Sequence, residues 1–252
     1  MKVLSYNLLC YGRGVHAFEN RFSDVIQKIK DEDPDIFGVQ EATPEWMENL
    51  RADFGCCYTS IGIGRDENGK GEHSAIFYKT SSYKLVDSGT FWLSETPDRV
   101  SHGWDGACKR ICTFAVLNDK MTGNDFAFLN THLDHVGPVA MLKGNEMVIS
   151  KANSFSLPVV ITGDFNNTPN SAVYRNMIEA GFIDSRYAAP DLTDTGTFTG
   201  FDKDKSKWVI IDYIFSRDFT VNSFHVNCVP CDNGEFASDH NPVVAELSFK
   251  TE

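Results

Sequence analysis

The sequence predicts an α/β protein whose sheets are covered on both faces. Three observations lead there: short β-rich apolar runs recur along the chain, helical stripes fall between them, and several of the runs are apolar at consecutive positions. A strand with one wet face alternates apolar and polar side chains. A run such as Ile36-Phe37-Gly38-Val39 has no polar face, so it belongs under layers on both sides.

The strands expected in chain order are residues 3–8, 36–40, 74–78, 112–117, 126–131, 159–163, 210–215 and 243–247. Phe22, Val25, Ile26 and Ile29 make one helical stripe with Asn20 as its expected cap, and Val173, Tyr174, Met177 and Ile178 make another after Asn170. A third, over 139–153, carries Met141, Leu142, Val148 and Ile149 and is weakened by Gly144. No linker rich in Pro, Gly or Ser and no repeat interrupts the pattern, so one domain over residues 1–252 is expected. The polar stretches 64–71, 92–107 and 186–207 are long enough to be working loops.

Composition narrows the classes. With 42% hydrophobic and 23% charged residues the chain is neither disordered nor fibrous. No run approaches the roughly 20 apolar residues that span a bilayer, and Met1 leads into KVLSYNLL without a basic, apolar leader. A cytoplasmic protein is expected as the chain stands, or a secreted or periplasmic one if a leader has been removed. Seven cysteines fit reduced, buried thiols better than a disulfide framework; Cys228 with Cys231 and Cys108 with Cys112 are the pairs a zinc reading would use. The net charge of -12, from 23 basic against 35 acidic residues, disfavours tight binding to duplex nucleic acid. A small or single-stranded phosphate ester is compatible with it, because a bound divalent cation offsets acidity locally.

Chemistry-bearing residues gather at strand ends, where a rigid sheet holds the backbone while side chains enter a shared cleft: Gln40-Glu41, Asn130-Thr131-His132, Gly163-Asp164-Phe165-Asn166 and Ser238-Asp239-His240. Asp164 and Asn166, two apart in an extended segment, would face the same way and offer an anionic and a neutral oxygen to a hard cation. The same GDFN run also reads as a polar turn opening a helix. Glu41 and Asp239 could complete the oxygen shell of Mg²⁺ or Mn²⁺. Asp212 stands in the apolar strand WVIIDYIF, where a carboxylate is costly unless it meets a partner. Accepting a hydrogen bond from His240 would hold that imidazole in one tautomer and raise its basicity. Phe126, Phe128, Asn130 and His132 share one strand face that turns polar where a cleft would open, while His132 with His135 is the alternative zinc pair.

Taken together, SYNLL around Asn7, VQE ending at Glu41, NTHLDH, TGDFN, IDYIF and SDHNPV, in this order across nearly the whole chain, resemble the endonuclease/exonuclease/phosphatase superfamily. The resemblance implies a DNase I-like four-layer α-β-β-α sandwich, two mixed β-sheets packed face to face with helices outside, and metal-dependent hydrolysis of phosphate esters. By motif, Asn7, Glu41 and Asp239 match metal positions, and Asp164 and Asn166 match the pair near the metal and the attacking water. His240 with Asp212 resembles the family's His-Asp dyad, His132 the histidine on the scissile phosphate, and Glu72 a carboxylate that orients that histidine. FWLSETP, Trp104-Asp105 and Arg110 resemble a bacterial branch of the superfamily in which this loop shapes the substrate pocket. Trp104, Arg110 and Asp134 of NTHLDH are thereby expected to contact substrate. So is Lys143, in place of an arginine that the branch tends to carry where this chain has Met141.

The expected activity is in-line attack of water on a phosphomonoester or phosphodiester, with His240 as base and the metal and His132 stabilising phosphoryl charge. The aromatic residues Phe91, Trp92 and Trp104 suit a small or single-stranded substrate. The alternatives are a 3'-5' exonuclease on RNA or single-stranded nucleic acid, and a noncatalytic binding module. The second is disfavoured because every catalytic position holds a competent residue type.

Overall fold

A computed structural model describes residues 1–191 and 195–250. Its strands are β1 (Lys2–Asn7), β2 (Ile36–Ala42), β3 (Tyr58–Ile61), β4 (His73–Lys79), β5 (Tyr83–Trp92) and β6 (Ile111–Asp119). They continue with β7 (Asp125–His132), β8 (Val159–Asp164), β9 (Ile183–Asp184), β10 (Asp212–Arg217), β11 (Phe219–Val226) and β12 (Val243–Phe249). The helices are α1 (Phe18–Glu32), α2 (Pro44–Phe54), α3 (Pro138–Asn153), α4 (Ala172–Glu179) and α5 (Ser185–Ala188).

Two six-stranded sheets form, in the orders β11-β12-β1-β2-β4-β3 and β5-β6-β7-β8-β10-β9. Each is built around one parallel pair, β1 with β2 and β7 with β8, and the remaining pairings are antiparallel. Parallel neighbours need a long crossover. Helix α1 supplies it in the first sheet and α3 in the second.

Three apolar clusters define the layers. Val3, Ile36, Ile76, Leu117, Phe126, Phe128, Val160 and Ile214 come from both sheets and fill the space between them. Leu4, Phe37, Val39 and Phe77 face the other way and meet Val25, Ile29, Trp46 and Leu50 of α1 and α2. Leu129, Ile161 and Phe215 meet Val148 and Ala152 of α3 and Val173 and Met177 of α4. Central strands are therefore covered on both faces, as the consecutive apolar runs require, and the architecture is the α-β-β-α sandwich with mixed sheets.

Local signals explain the helix ends, with two departures from expectation. Helix α1 starts after Ala17, and Asn20, inside its first turn, instead donates to the Gly14 carbonyl at 2.8 Å. Ser171 rather than Asn170 caps α4, accepting from the Tyr174 N–H at 3.0 Å. Gly144 does not break α3: it is buried where the helix lies close to Leu93 and Leu133, and a Cβ there would sit 3.4 Å from the Leu93 side chain. The 186–207 stretch contains α5, and its positions 192–194 lie outside the described residues. Of the cysteines Cys112 alone is fully buried; Cys56 and Cys57 are exposed, so the expectation of uniformly buried thiols does not hold.

A polar seam joins the sheets just below the strand ends. Asn130 of β7, completely buried, donates to the carbonyls of Val39 and Ala75 at 2.9 Å each and accepts from Gln40 at 2.7 Å and Thr162 at 3.1 Å. Gly38 makes room for it, since a Cβ there would stand 2.5 Å from Thr162 Oγ1 and 2.7 Å from the Asn130 amide. Replacing Gly38 by Ala is expected to destabilise the protein by about 1–3 kcal/mol through overpacking. Urea unfolding measures this, and an unchanged midpoint would contradict it.

Candidate active site

The strand ends meet as the parallel pairs dictate. Asn7 and Glu41 lie at the C-terminal ends of β1 and β2, and His132 and Asp164 sit side by side at the ends of β7 and β8. Asp212, the first residue of the antiparallel β10, is in register with Asp164. Open α/β sheets bind ligands at this edge because the strands stop while the loops continue.

Asp164 is the meeting point. Its Oδ2 accepts from Asn7 Nδ2 of the other sheet at 2.9 Å and lies 3.4 Å from His132 Nε2 and 3.7 Å from His240 Nε2. Its Oδ1 accepts the Asn166 backbone N–H at 2.8 Å. Burial, and the nearby charge of Asp212, push its carboxyl above the usual carboxylate range.

His240 Nδ1 donates to Asp212 Oδ2 at 2.9 Å, which fixes the tautomer and leaves Nε2 facing Asp164. Burial opposes an imidazolium here, but the carboxylates of Asp212 and Asp164 outweigh it and push the His240 pKa up to about 10. His132 goes the other way. Burial first, then the charge of Arg110, holds it well below the usual histidine range, so it is neutral. The Asn166 amide donates to His132 Nε2 at 3.0 Å, which places the ring proton on Nδ1, a buried atom without a partner.

Asn166 does not continue the strand beyond Asp164 as an extended segment would. Its φ is 50°, in the left-handed region, and the turn swings its amide back to His132 and to the Leu133 carbonyl at 3.1 Å. Glu41 is likewise left-handed, at φ 59°, beside a bulge between Val39 and Ala42 that re-aims the end of β2. Such strain persists only where surrounding contacts over-determine it. Glu41 Oε1 accepts from Asn7 Nδ2 at 3.1 Å and Oε2 from the Cys10 N–H at 2.7 Å. Burial raises this carboxyl, but the bonds from Cys10 and Asn7 win and hold it below the usual range.

Asp239 is pushed up by burial and, among nearby charges, by Glu41, although His240 offsets part of the shift. Both carboxylates line a cavity of about 350 Å³ with Cys10, Arg65, Glu72, Arg110, His132, His135, Asp164, Asn166 and His240. Asp239, whose charge Glu41 disfavours, and Glu41 and Glu72, which cluster with Cys10 as potential ligands, offer carboxylate oxygens that fit a hard divalent cation. Asn7 presents nitrogen to Glu41, and its Oδ1 accepts from the Leu9 N–H at 3.0 Å.

Four expected residues are placed differently from their motif roles. Glu72 pairs with Arg65 at 2.7 Å and makes no hydrogen bond to His132. Asp134 is buried and accepts the backbone N–H groups of Ala107, Cys108, Val136 and Gly137 at 2.8–3.1 Å, so its oxygens are spent on loop structure rather than substrate. Lys143, one position off the buried Gly144, points to solvent and pairs with Glu146 at 2.7 Å. Trp104 does not line the cavity; its φ is 44° and its N–H meets Glu95 at 3.3 Å. Among the described residues neither cysteine pair belongs to a cluster of three potential metal ligands, and His135 accepts from Arg110 rather than joining His132.

Sequence reasoning missed Arg21, Cys10 and Arg65. Arg21 is 2% exposed and donates to the carbonyls of Leu8, Leu9, His16 and Ala237, so it ties the end of β1 to the segment that carries Asp239. Its signal was a charged residue on the apolar face of α1, one turn before Val25 and two before Ile29. The sequence places Asp105 in a loop, yet it caps α3 by accepting the Ala140 N–H at 2.8 Å.

The Endonuclease/Exonuclease/phosphatase family matches residues 4–240, and the chain belongs to that family. It is similar to the solved structure of an endonuclease/exonuclease/phosphatase family protein from Bacteroides thetaiotaomicron, with 34% identity and TM-score 0.93, covering 100% of this chain and 98% of that one. It is also similar to the mannosyl-6-phosphatase Bt3783 of that organism, at 33% identity and TM-score 0.88 over 99% and 100% of the two chains. The Ccr4 3'-5'-exoribonuclease subunit of Emericella nidulans is 24% identical over 99% of this chain and 52% of its own length. The family and these neighbours are hydrolases acting on phosphate esters, and the family depends on divalent metal. No helix among the described residues is long and apolar enough to cross a membrane.

Replacing Asp134 by Ala is expected to destabilise the protein by about 1–3 kcal/mol, because the loop N–H groups lose their acceptor. Denaturant unfolding measures it, with increased protease cutting near 105–108 as the local readout. Lys143→Ala should change turnover by no more than about twofold, as an exposed ion pair contributes little; a larger loss would return Lys143 to the substrate site.

Proposed function

We propose that the protein is a Mg²⁺- or Mn²⁺-dependent phosphoesterase that hydrolyses a small phosphate ester by in-line attack of water. The observation that carries this is the placement of Asp164, 3.7 Å from the His240 that is hydrogen-bonded to Asp212, at the wall of a cavity that Glu41 and Asp239 also line. When bound by Glu41 and Asp239, a divalent cation would polarise the phosphoryl group and lower the proton affinity of the groups around it. Asn7 positions Glu41 and Asp164 for that task.

With a cation bound and its proton affinity lowered in this way, His240 would accept the proton of the attacking water. Asp212 stabilises that proton on the imidazole, which is why the His240 pKa lies so high. Neutral His132, whose Nε2 accepts from the Asn166 amide, lines the cavity without competing for the proton. A cavity of about 350 Å³ and a net charge of -12 favour a small ester over duplex nucleic acid, and similarity to a mannosyl-6-phosphatase supports a small-molecule substrate. The second reading is 3'-5' exonuclease action on single-stranded RNA, favoured by Tyr11, 81% exposed beside Cys10, where a base could stack.

His240→Ala is expected to lower turnover by about 10²- to 10⁴-fold with the fold intact by circular dichroism; unchanged turnover would refute the assignment. In a panel of sugar phosphates, aryl phosphates and a 3'-labelled oligoribonucleotide, the small esters should be hydrolysed with Mg²⁺ or Mn²⁺ and none with EDTA. Degradation of the oligonucleotide alone would transfer the assignment to the exonuclease reading.

A further inference from the structure

Of the two arginines that line the cavity, one is paired with a carboxylate and the other is not. Arg65 meets Glu72 at 2.7 Å and His240 meets Asp212 at 2.9 Å. Among the described residues Arg110 forms no ion pair, although Glu72 and Asp134 feel its charge: one Nη2 contact to His135 Nδ1 at 3.1 Å is its polar side-chain bond, and its Nε–H is buried with no acceptor. Arg110 is 6% exposed and lines the cavity beside His132. A guanidinium so deeply enclosed is costly without a counter-ion, and it cannot shed its proton to escape the cost.

Its backbone is held before any ligand arrives. The Arg110 carbonyl accepts the Leu93 N–H at 2.8 Å, and Asp134 grips the preceding Ala107 and Cys108 N–H groups at 2.9 and 3.1 Å. Asp105, earlier in the same loop, is locked onto the start of α3. A pre-set charged fork aimed at a cavity suits a planar pair of phosphate oxygens.

Resting on the phosphoesterase reading above, we propose that Arg110 makes the site selective for phosphomonoesters, by taking the third terminal oxygen and the second negative charge that a diester lacks. Near neutral pH a monoester carries about 1.5 to 2 charges and three strong acceptor oxygens, whereas a diester carries one charge and two terminal oxygens. A divalent cation held by Glu41 and Asp239 would serve oxygens that both ester classes have. Arg110 is the cation left over for the additional one.

The test compares kcat/KM for p-nitrophenyl phosphate and bis(p-nitrophenyl) phosphate in wild type, Arg110→Met and Arg110→Lys, with binding of inorganic phosphate followed by calorimetry. Wild type is expected to prefer the monoester. Arg110→Met should lose about 10- to 100-fold on the monoester and in phosphate affinity, the usual range for a charge-assisted hydrogen bond, with the diester almost unaffected. Arg110→Lys, which keeps the charge but not the fork, should fall between, and it decides the matter if the Met variant fails to fold. Equal losses on both esters, undiminished phosphate binding, or a wild type that prefers the diester would overturn the role of Arg110 while leaving the phosphoesterase reading in place. Hydrolysis of neither ester by metal-supplied wild type would remove that reading and this proposal with it.

Discussion

One buried carboxylate carries the organisation of the site. Asp164 is 1% exposed and touches Asn7 from the opposite sheet, His132 from the neighbouring strand and His240 from the C-terminal segment. A charge taken that far from water must be met by hydrogen bonds and opposite partial charges from every side. Because those partners come from both sheets, the demand of one side chain sets how the two sheet edges face each other.

Backbone topology makes that demand answerable. Each sheet contains one parallel pair closed by a helix, so each delivers two strand ends to the same edge, and face-to-face packing brings the four ends together. Asn130 and Gln40 stitch the sheets just beneath this edge, and Arg21 binds the loop after Asn7 to the carbonyl of Ala237. Polar residues that no substrate touches thus set the spacing of those that would. Asp134 and Asp105 do the same for the loop leading to Arg110, which gives a loop residue some of the rigidity of a strand.

Much of the fold was legible because periodicity reports burial. All eight expected runs are strands, and all three expected stripes are helices. The strands overlooked, β3, β5, β9 and β11, lie at or beside sheet edges, where one side is free of a neighbour and polar residues are tolerated; β5 carries Asp87-Ser88-Gly89 at its centre. Helix α2 was overlooked although Thr43 caps it and Pro44 opens it. Glu41, His132 and Asp164 were legible where apolar runs stop, and Asp239 and His240 where one begins, because acidic and imidazole groups stand out against such runs. Arg65 and Cys10 were not, since neither residue type nor spacing separates a cavity wall from a surface loop.

The sequence by itself determined the strand and helix pattern, the doubly covered sheets and the chemical types available at the strand ends, because each follows from residue identity and short-range period. Tertiary structure alone decided which of those groups share a proton, which face a ligand and which merely hold a loop. Asp134 and Asp212 look alike as single letters beside apolar residues, yet one is saturated by backbone N–H groups while the other meets an imidazole through one oxygen and leaves its second, buried, without a partner. Partners distant in sequence set the charge and the use of a buried side chain, and only the folded chain brings them within hydrogen-bonding range.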